Sequence, residues 1–367
     1  MSRRAPTRAE RTPRGWASGA LLAAALGCAP TLPESFVLSR AAAERAYSAG
    51  RYEEAAEHWR HAAQAADRPK DRNEARYREA AALRRAGRHG EADALLEALA
   101  RATRAARAPR ASYDRALALL HRGDERAAHA ELERLLVAHP DHSFAALAAK
   151  KLIERARADG GAVAGLAEAT RLRSLVGDVA VVERLEYEAA GDLEALGRLA
   201  EARDRFLDVA RRYPYPTGAL WDDSLWHASL LEERLGDPRR AIAHLRRMLA
   251  QQEASSMSGS YERPRYSQAR FRIAELYRDR LDDPARARRE FRALLERHPT
   301  SLLVDDALWQ EALLARRAGD TRAACDALAA LTKHSPDSRY VACGPLLCPA
   351  LTPPPGECRD YLRRSVP

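Results

Sequence analysis

The sequence has little of what sheets and enzymes are built from. Aromatic residues make up 6% of the 367. β-branched residues are sparse and Ala, Leu, Arg and Glu dominate, a balance that favours helices over strands. There is no His-Glu-x-x-His pair, no phosphate-cradling glycine loop and no Gly-x-Ser-x-Gly elbow. Carboxylates are plentiful, yet no pair stands out from the charge pattern of helix surfaces. His58 and His61 are three apart, and His139 and His142 flank Pro140. Neither pair has the further Cys or His that would complete a metal site, so both read as surface histidines. No cofactor, no metal and no catalytic residue is expected.

Positive charge is present, and its location matters. The net charge is +9. The first 27 residues hold Arg3, Arg4, Arg8, Arg11 and Arg14 against Glu10, a net of +4. That leaves about +5 on a body in which acids are interleaved with arginines. This is a mixed, solvated surface rather than a phosphate-binding stripe, and nucleic acid is not an expected partner.

The basic N-terminus leads into an uncharged run from Gly15 to Gly27. It is too short to cross a bilayer, which needs about 20 residues, and it suits the apolar region of a signal peptide. The run closes on Ala25-Leu26-Gly27-Cys28, which resembles the lipobox of bacterial lipoproteins. The resemblance implies acylation of Cys28 and cleavage before it. Several acyl chains give firm anchoring at about 0.8 kcal/mol per buried CH₂. Ala29, where an Asp retains many such proteins in the inner membrane, is compatible with the outer membrane.

The body is periodic. Turn glycines fall at Gly50, Gly87, Gly123, Gly160, Gly197, Gly236 and Gly319, with Asp282 in the equivalent place. An Ala follows five residues later at Ala55, Ala92, Ala128, Ala202, Ala241, Ala287 and Ala324. Four residues further comes a bulky apolar residue: Trp59, Leu96, Leu132, Phe206, Leu245, Phe291 or Leu328. Near Gly160 the small-residue place is taken by Gly165. Prolines close several units at Pro140, Pro214, Pro299 and Pro336. Gly permits a tight turn between helices, Ala lets them approach and the larger residue fills the gap. Pro ends the second helix. The polar stretch Gln251 to Arg265 reads as a loop insertion.

Tyr47-Ser48-Ala49-Gly50-Arg51-Tyr52-Glu53-Glu54-Ala55 and its copies resemble the tetratricopeptide repeat. The resemblance covers about residues 36 to 338 and implies an all-α solenoid of about eight helix pairs, wound as a right-handed superhelix with a concave groove. Asp305-Asp306-Ala307-Leu308-Trp309 through Ser338, and Phe291 through Ser301, are similar to repeats of the outer-membrane β-barrel assembly lipoprotein and of the Tol-Pal coordinator protein. The chain is longer than the first and lacks the coiled coil of the second, so only the architecture and the envelope setting carry over.

An aromatic stands ten residues before the turn in five units: Tyr77, Tyr113, Tyr187, Trp226 and Trp309. First helices line the groove in this family, so the resemblance makes this ladder, with Arg84, Arg85, Arg316 and Arg317 beyond it, a candidate peptide-binding face. Packing within and between repeats would demand the same spacing. Cys325, Cys343, Cys348 and Cys358 form an even set at one end of an exported chain, which suggests two disulfides of undetermined pairing stapling the tail over the last helix pair.

The organisation expected is a signal peptide over 1–27, a lipid-anchored linker over 28–35, the superhelix over 36–338 and a Cys/Pro-rich tail over 339–367. The function expected is that of a non-enzymatic scaffold on the periplasmic face of the outer membrane, binding envelope proteins, with the membrane reached through the lipid. Two alternatives remain open: a β-barrel assembly subunit-like protein, and a peptidoglycan-binding accessory to a cell-wall enzyme.

Overall fold

The computed structural model describes residues 32–177, 180–251, 264–351, 356–364 and 366. The signal peptide, the lipobox and Cys28 lie outside them, as does most of the stretch from Gln251 to Arg265. Among the described residues the protein is all α, with seventeen α-helices, one 3-10 turn and no strand.

The chain separates into two compact units, Met1–Ala111 and Ser112–Pro367, and the division falls inside one helix. The first unit holds α1 (Glu34–Ser48) with α2 (Tyr52–Ala65), α3 (Pro69–Arg85) with α4 (His89–Arg101), and the start of α5 (Ala108–His121). Its core runs from Phe36 through Trp59 and Leu83 to Leu99 and Ala111.

The second unit continues α5 and adds α6 (Glu125–Ala138), α7 (Ser143–Leu175), α8 (Val181–Ala195), α9 (Leu199–Arg212), α10 (Trp221–Arg234) and α11 (Pro238–Leu249). After these come α12 (Pro264–Asp279), α13 (Pro284–Arg297), α14 (Val304–Arg317) and α15 (Thr321–His334). A 3-10 turn (Val341–Cys343) and two short helices, α16 (Gly344–Leu347) and α17 (Asp360–Arg363), complete it.

The turns between paired helices share one geometry. Gly50, Gly87, Gly123, Gly197, Gly236 and Gly319 all have φ between +75° and +88°. In each case the N–H of the following residue reaches the carbonyl five before it, from Arg51 to Ala46 at 2.9 Å through Asp320 to Ala315 at 2.9 Å. This closes the last turn of the first helix and reverses the chain within three residues. Asp282, at φ +49°, is the described non-glycine residue in this conformation. Asp is among the few side chains that tolerate it.

The fourth unit departs from the expected register. α7 is two helices broken where Gly160 and Gly161 leave helical geometry, and Gly161 rather than Gly160 carries the positive φ, +66° with ψ −159°, a combination that only glycine enters readily. A Cβ at Gly165 would come within 2.6 Å of the Asp192 carboxylate and 2.7 Å of Arg157. The usual Ala is absent here because a buried ion cluster takes its room. Arg157 donates to Asp192 at 2.6 Å and to Glu188 at 2.9 Å.

The expected small and bulky positions are all interior. The seven alanines named above are fully buried, and the bulky partners are at most 5% exposed. Buried carboxylates, unforeseen from the sequence, tie consecutive units together. Arg60 of α2 donates to Glu79 of α3, and Arg292 of α13 to Glu311 of α14, both across 19 residues. Losing one partner of such a pair would strand a buried charge.

The tail seals the last pair. Cys325 of α15 bonds Cys348, and Cys343 bonds Cys358. Tyr340, Leu347 and Leu362 join the core of α14 and α15.

Candidate functional site

The ladder of aromatics is largely a stack between successive first helices. Tyr77 is 8% exposed. The guanidiniums of Arg107 and Arg110 lie 5.2 and 5.4 Å from its ring, and Arg110 donates to its hydroxyl at 2.6 Å. Trp309 is 1% exposed and stacks on Tyr340 at 5.1 Å. Both rings are core, which corrects the expectation that they line a groove. They are the rungs on which the next segment of chain sits, and that role demands the same repeat spacing as a ligand contact. Tyr113 is half-buried against Phe144, 5.5 Å away.

Tyr187 and Trp226 are half-buried and keep access to solvent. The Tyr187 ring meets Phe206 edge-on at 5.2 Å and His227 at 5.8 Å, with the Arg184 guanidinium 5.7 Å away. Burial, followed by the negative charge of Asp223, pushes its hydroxyl up to about 12. Trp226 carries the Arg265 guanidinium 5.4 Å from its ring, and Arg265 is held at 3.0 Å by Asp223. His227 is pushed below its ordinary value by burial, against the pull of Glu194 at 3.7 Å. The first helices α8, α10 and α12 thus present two amphipathic rings flanked by Arg184, Asp223 and Arg265. Such a face can take an apolar side chain against the rings and hydrogen-bond a peptide backbone at its edges.

The local fold orders this face. Leu220 and Ala219, at the entry to α10, donate their N–H groups to the Glu183 carboxylate of α8 at 2.7 and 3.2 Å. A carboxylate on one first helix therefore caps the next. Burial raises the Glu183 pKa, and these two donations oppose the rise.

Arg84, Arg85, Arg316 and Arg317 are exposed in the last turns of α3 and α14, where cations complement the helix dipole. Arg85 lies 5.9 Å from the Tyr52 ring, and Arg316 donates to Thr321 at 2.9 Å. His58 stands 3.6 Å from Glu54, and His142 accepts the Phe144 N–H at 3.2 Å. Among the described residues no group of three metal-ligating side chains forms.

Charge is distributed less evenly than the sequence-wide balance suggests. Residues 238–299 contain fifteen arginines and eight acids, a net of +7, which exceeds the +5 of the whole body. Helix α11 carries Arg239, Arg240, Arg246 and Arg247 with no acid at all. The averaged count hid this patch, although the acid-free run from Pro238 to Leu249 was legible.

Residues 268–301 and 306–338 match the tetratricopeptide-repeat family model, so the chain contains at least two such repeats, α12–α13 and α14–α15. No curated protein matches the sequence. Among solved structures the chain is similar to YrrB, described as a TPR protein with an unusual peptide-binding site, at 16% identity and TM-score 0.37, covering 57% of this chain and 95% of that one. It is similar to pilF of Pseudomonas aeruginosa at 17% identity and TM-score 0.38, covering 64% and 94%. It is also similar to a tetratricopeptide repeat protein of Parabacteroides merdae at 14% identity and TM-score 0.35, covering 76% and 98%.

Proposed function

We propose that the protein is a lipid-anchored scaffold at the periplasmic face of the outer membrane that binds envelope proteins through the face around Tyr187 and Trp226. The observation that carries this reading is the contrast within the ladder. Tyr77 and Trp309 are sealed by the following chain, whereas Tyr187 and Trp226 stay half-open with charged flanks. Repeat proteins of this kind act by binding other proteins, and this one has helix pairs whose faces can take a peptide. The lipobox-like Ala25-Leu26-Gly27-Cys28 supports the anchor. Two disulfides fit an oxidising compartment.

The test is crosslinking in living cells, followed by purification of the protein and identification of what is captured. A defined envelope protein is expected, lost when Trp226→Ala removes the ring and diminished when Cys28→Ser removes the anchor. Capture unaffected by Trp226→Ala would overturn the assigned face. Retention on peptidoglycan sacculi in place of a protein would replace the reading with the glycan-binding one.

A further inference from the structure

A second surface lies on other helices. The cleft between α11, the end of α12 and the start of α13 encloses about 510 Å³ and is lined by Arg239, Ile242, Arg246, Tyr277, Leu281 and Arg286. Tyr277 forms the floor. The Arg246 and Arg286 guanidiniums lie 5.7 and 5.6 Å from its ring.

Among the described residues no carboxylate lines the cleft. Two acids beside it are already engaged. Glu290 is shared by Arg246 and Arg270 at 3.0 Å each. Asp283 accepts the Arg286 N–H at 2.9 Å and lies 3.4 Å from its guanidinium. Each arginine therefore keeps donors for something else, since a guanidinium has five.

The placement runs against helix electrostatics. Arg239 and Arg240 stand in the first turn of α11, and Arg286 in that of α13, where the dipole disfavours cations. At the corresponding places α2 has Glu53 and Glu54, and α4 has Glu91. The capping carboxylates of Asp237 and Asp283 offset that cost, which leaves these arginines in place for a ligand.

We propose that this cleft binds an acidic peptide segment of a partner protein, with two carboxylates flanking an apolar side chain. Guanidinium forks match carboxylates in a bidentate geometry. Arg239 and Arg246 are seven residues apart, about 10.5 Å along the helix. Three residues of a polyproline II chain span about 9 Å and return to the same face. Leu281 and Ala243 give the cleft its accessible apolar lining, with Ile242 and the Tyr277 ring buried beneath it; the intervening side chain covers that lining, which a phosphate or a nucleic-acid backbone would not. These residues are distinct from Tyr187 and Trp226, so the proposal stands or falls separately from the reading above.

The test uses the full mature chain and a fluorescein-labelled peptide containing Glu-Leu-Pro-Glu, followed by anisotropy at low ionic strength. Saturable binding is expected. It should weaken roughly tenfold in Arg239→Gln/Arg286→Gln and for the Gln-Leu-Pro-Gln peptide. It should stay within about twofold in Arg84→Gln/Arg85→Gln and in Trp226→Ala. Absence of saturable binding, or an equal loss in the Arg84/Arg85 control, would overturn the site. Displacement by inorganic phosphate, phosphatidylglycerol vesicles or a single-stranded oligonucleotide as effective as that by unlabelled peptide would overturn the assignment to a peptide.

Discussion

The second helices α2 and α4 of the first unit and α11 and α13 of the second are built on one plan, yet they begin differently. All four follow a left-handed turn residue, Gly50, Gly87, Gly236 or Asp282. Helices α2 and α4 start on Arg51 and Arg88, which make no side-chain cap and instead pair with Glu54 at 2.8 Å and Glu91 at 2.6 Å. Helices α11 and α13 start on Asp237 and Asp283, which accept N–H groups at 2.9 Å ahead of a first-turn proline. In the first arrangement a glutamate answers the helix dipole. In the second the capping aspartate does so, and the first turn is released to carry arginine. Surface charge can therefore be set unit by unit without altering the turn.

The largest effect tests the sameness of the two regions. Trp59→Ala in α2 and Phe291→Ala in α13 empty one repeat position, and each should cost about 3–5 kcal/mol in urea unfolding. A much smaller cost at either site would mean that the two residues do not fill the same position in their repeats.

The caps should then separate them. Asp283→Ala should lose about 1 kcal/mol, as N-cap removals do, while Arg51→Ala, which breaks an exposed pair, should lose at most a few tenths. Equal losses would sink the distinction.

Acid should divide them further. His139, His227, His244 and His298 are all pushed down, foremost by burial, and all lie in the second unit. Their folded values are below the unfolded one, so this stabilisation is complete above about pH 6.5 and is lost as pH falls through the folded values. Glu183 and Glu311, raised by burial, act in the opposite sense as they take up protons. The Tm difference between pH 7.5 and 5.5 should therefore be compared with and without His298→Gln. The variant should show the smaller fall, and an unchanged one would exclude His298 as a contributor.

The smallest effect is the most specific. Arg239→Gln removes a cation from the start of α11 and should raise stability by about 0.3 kcal/mol while weakening the acidic peptide. A loss of stability would mean that Arg239 serves the fold.

The sequence was most readable where geometry leaves one solution. Glycine at the left-handed turn, alanine at the close approach and a bulky residue beside it each answer a steric demand, and those positions are buried as expected. The shift from Gly160 to Gly161 was hidden because two adjacent glycines satisfy spacing equally well. The ladder was legible as a ladder but not as groove or core. Periodicity registers that rings recur, and both stacking under Tyr340 and binding a peptide require recurrence. Glu79 and Glu311 looked like surface carboxylates because their partners, Arg60 and Arg292, lie 19 residues earlier on another helix.

The two disulfides interleave along the chain: Cys343 lies within the segment closed by Cys325 and Cys348, and Cys348 within that closed by Cys343 and Cys358. Stacked helix pairs ordinarily loosen first at their ends, where a unit has one neighbour instead of two. With the tail bonded to α15 and closed on itself, the outer face of the last pair stays covered while the bonds hold. Amide exchange along the second unit should run down a gradient towards α15, and a thiol reductant should flatten that gradient before it unfolds anything.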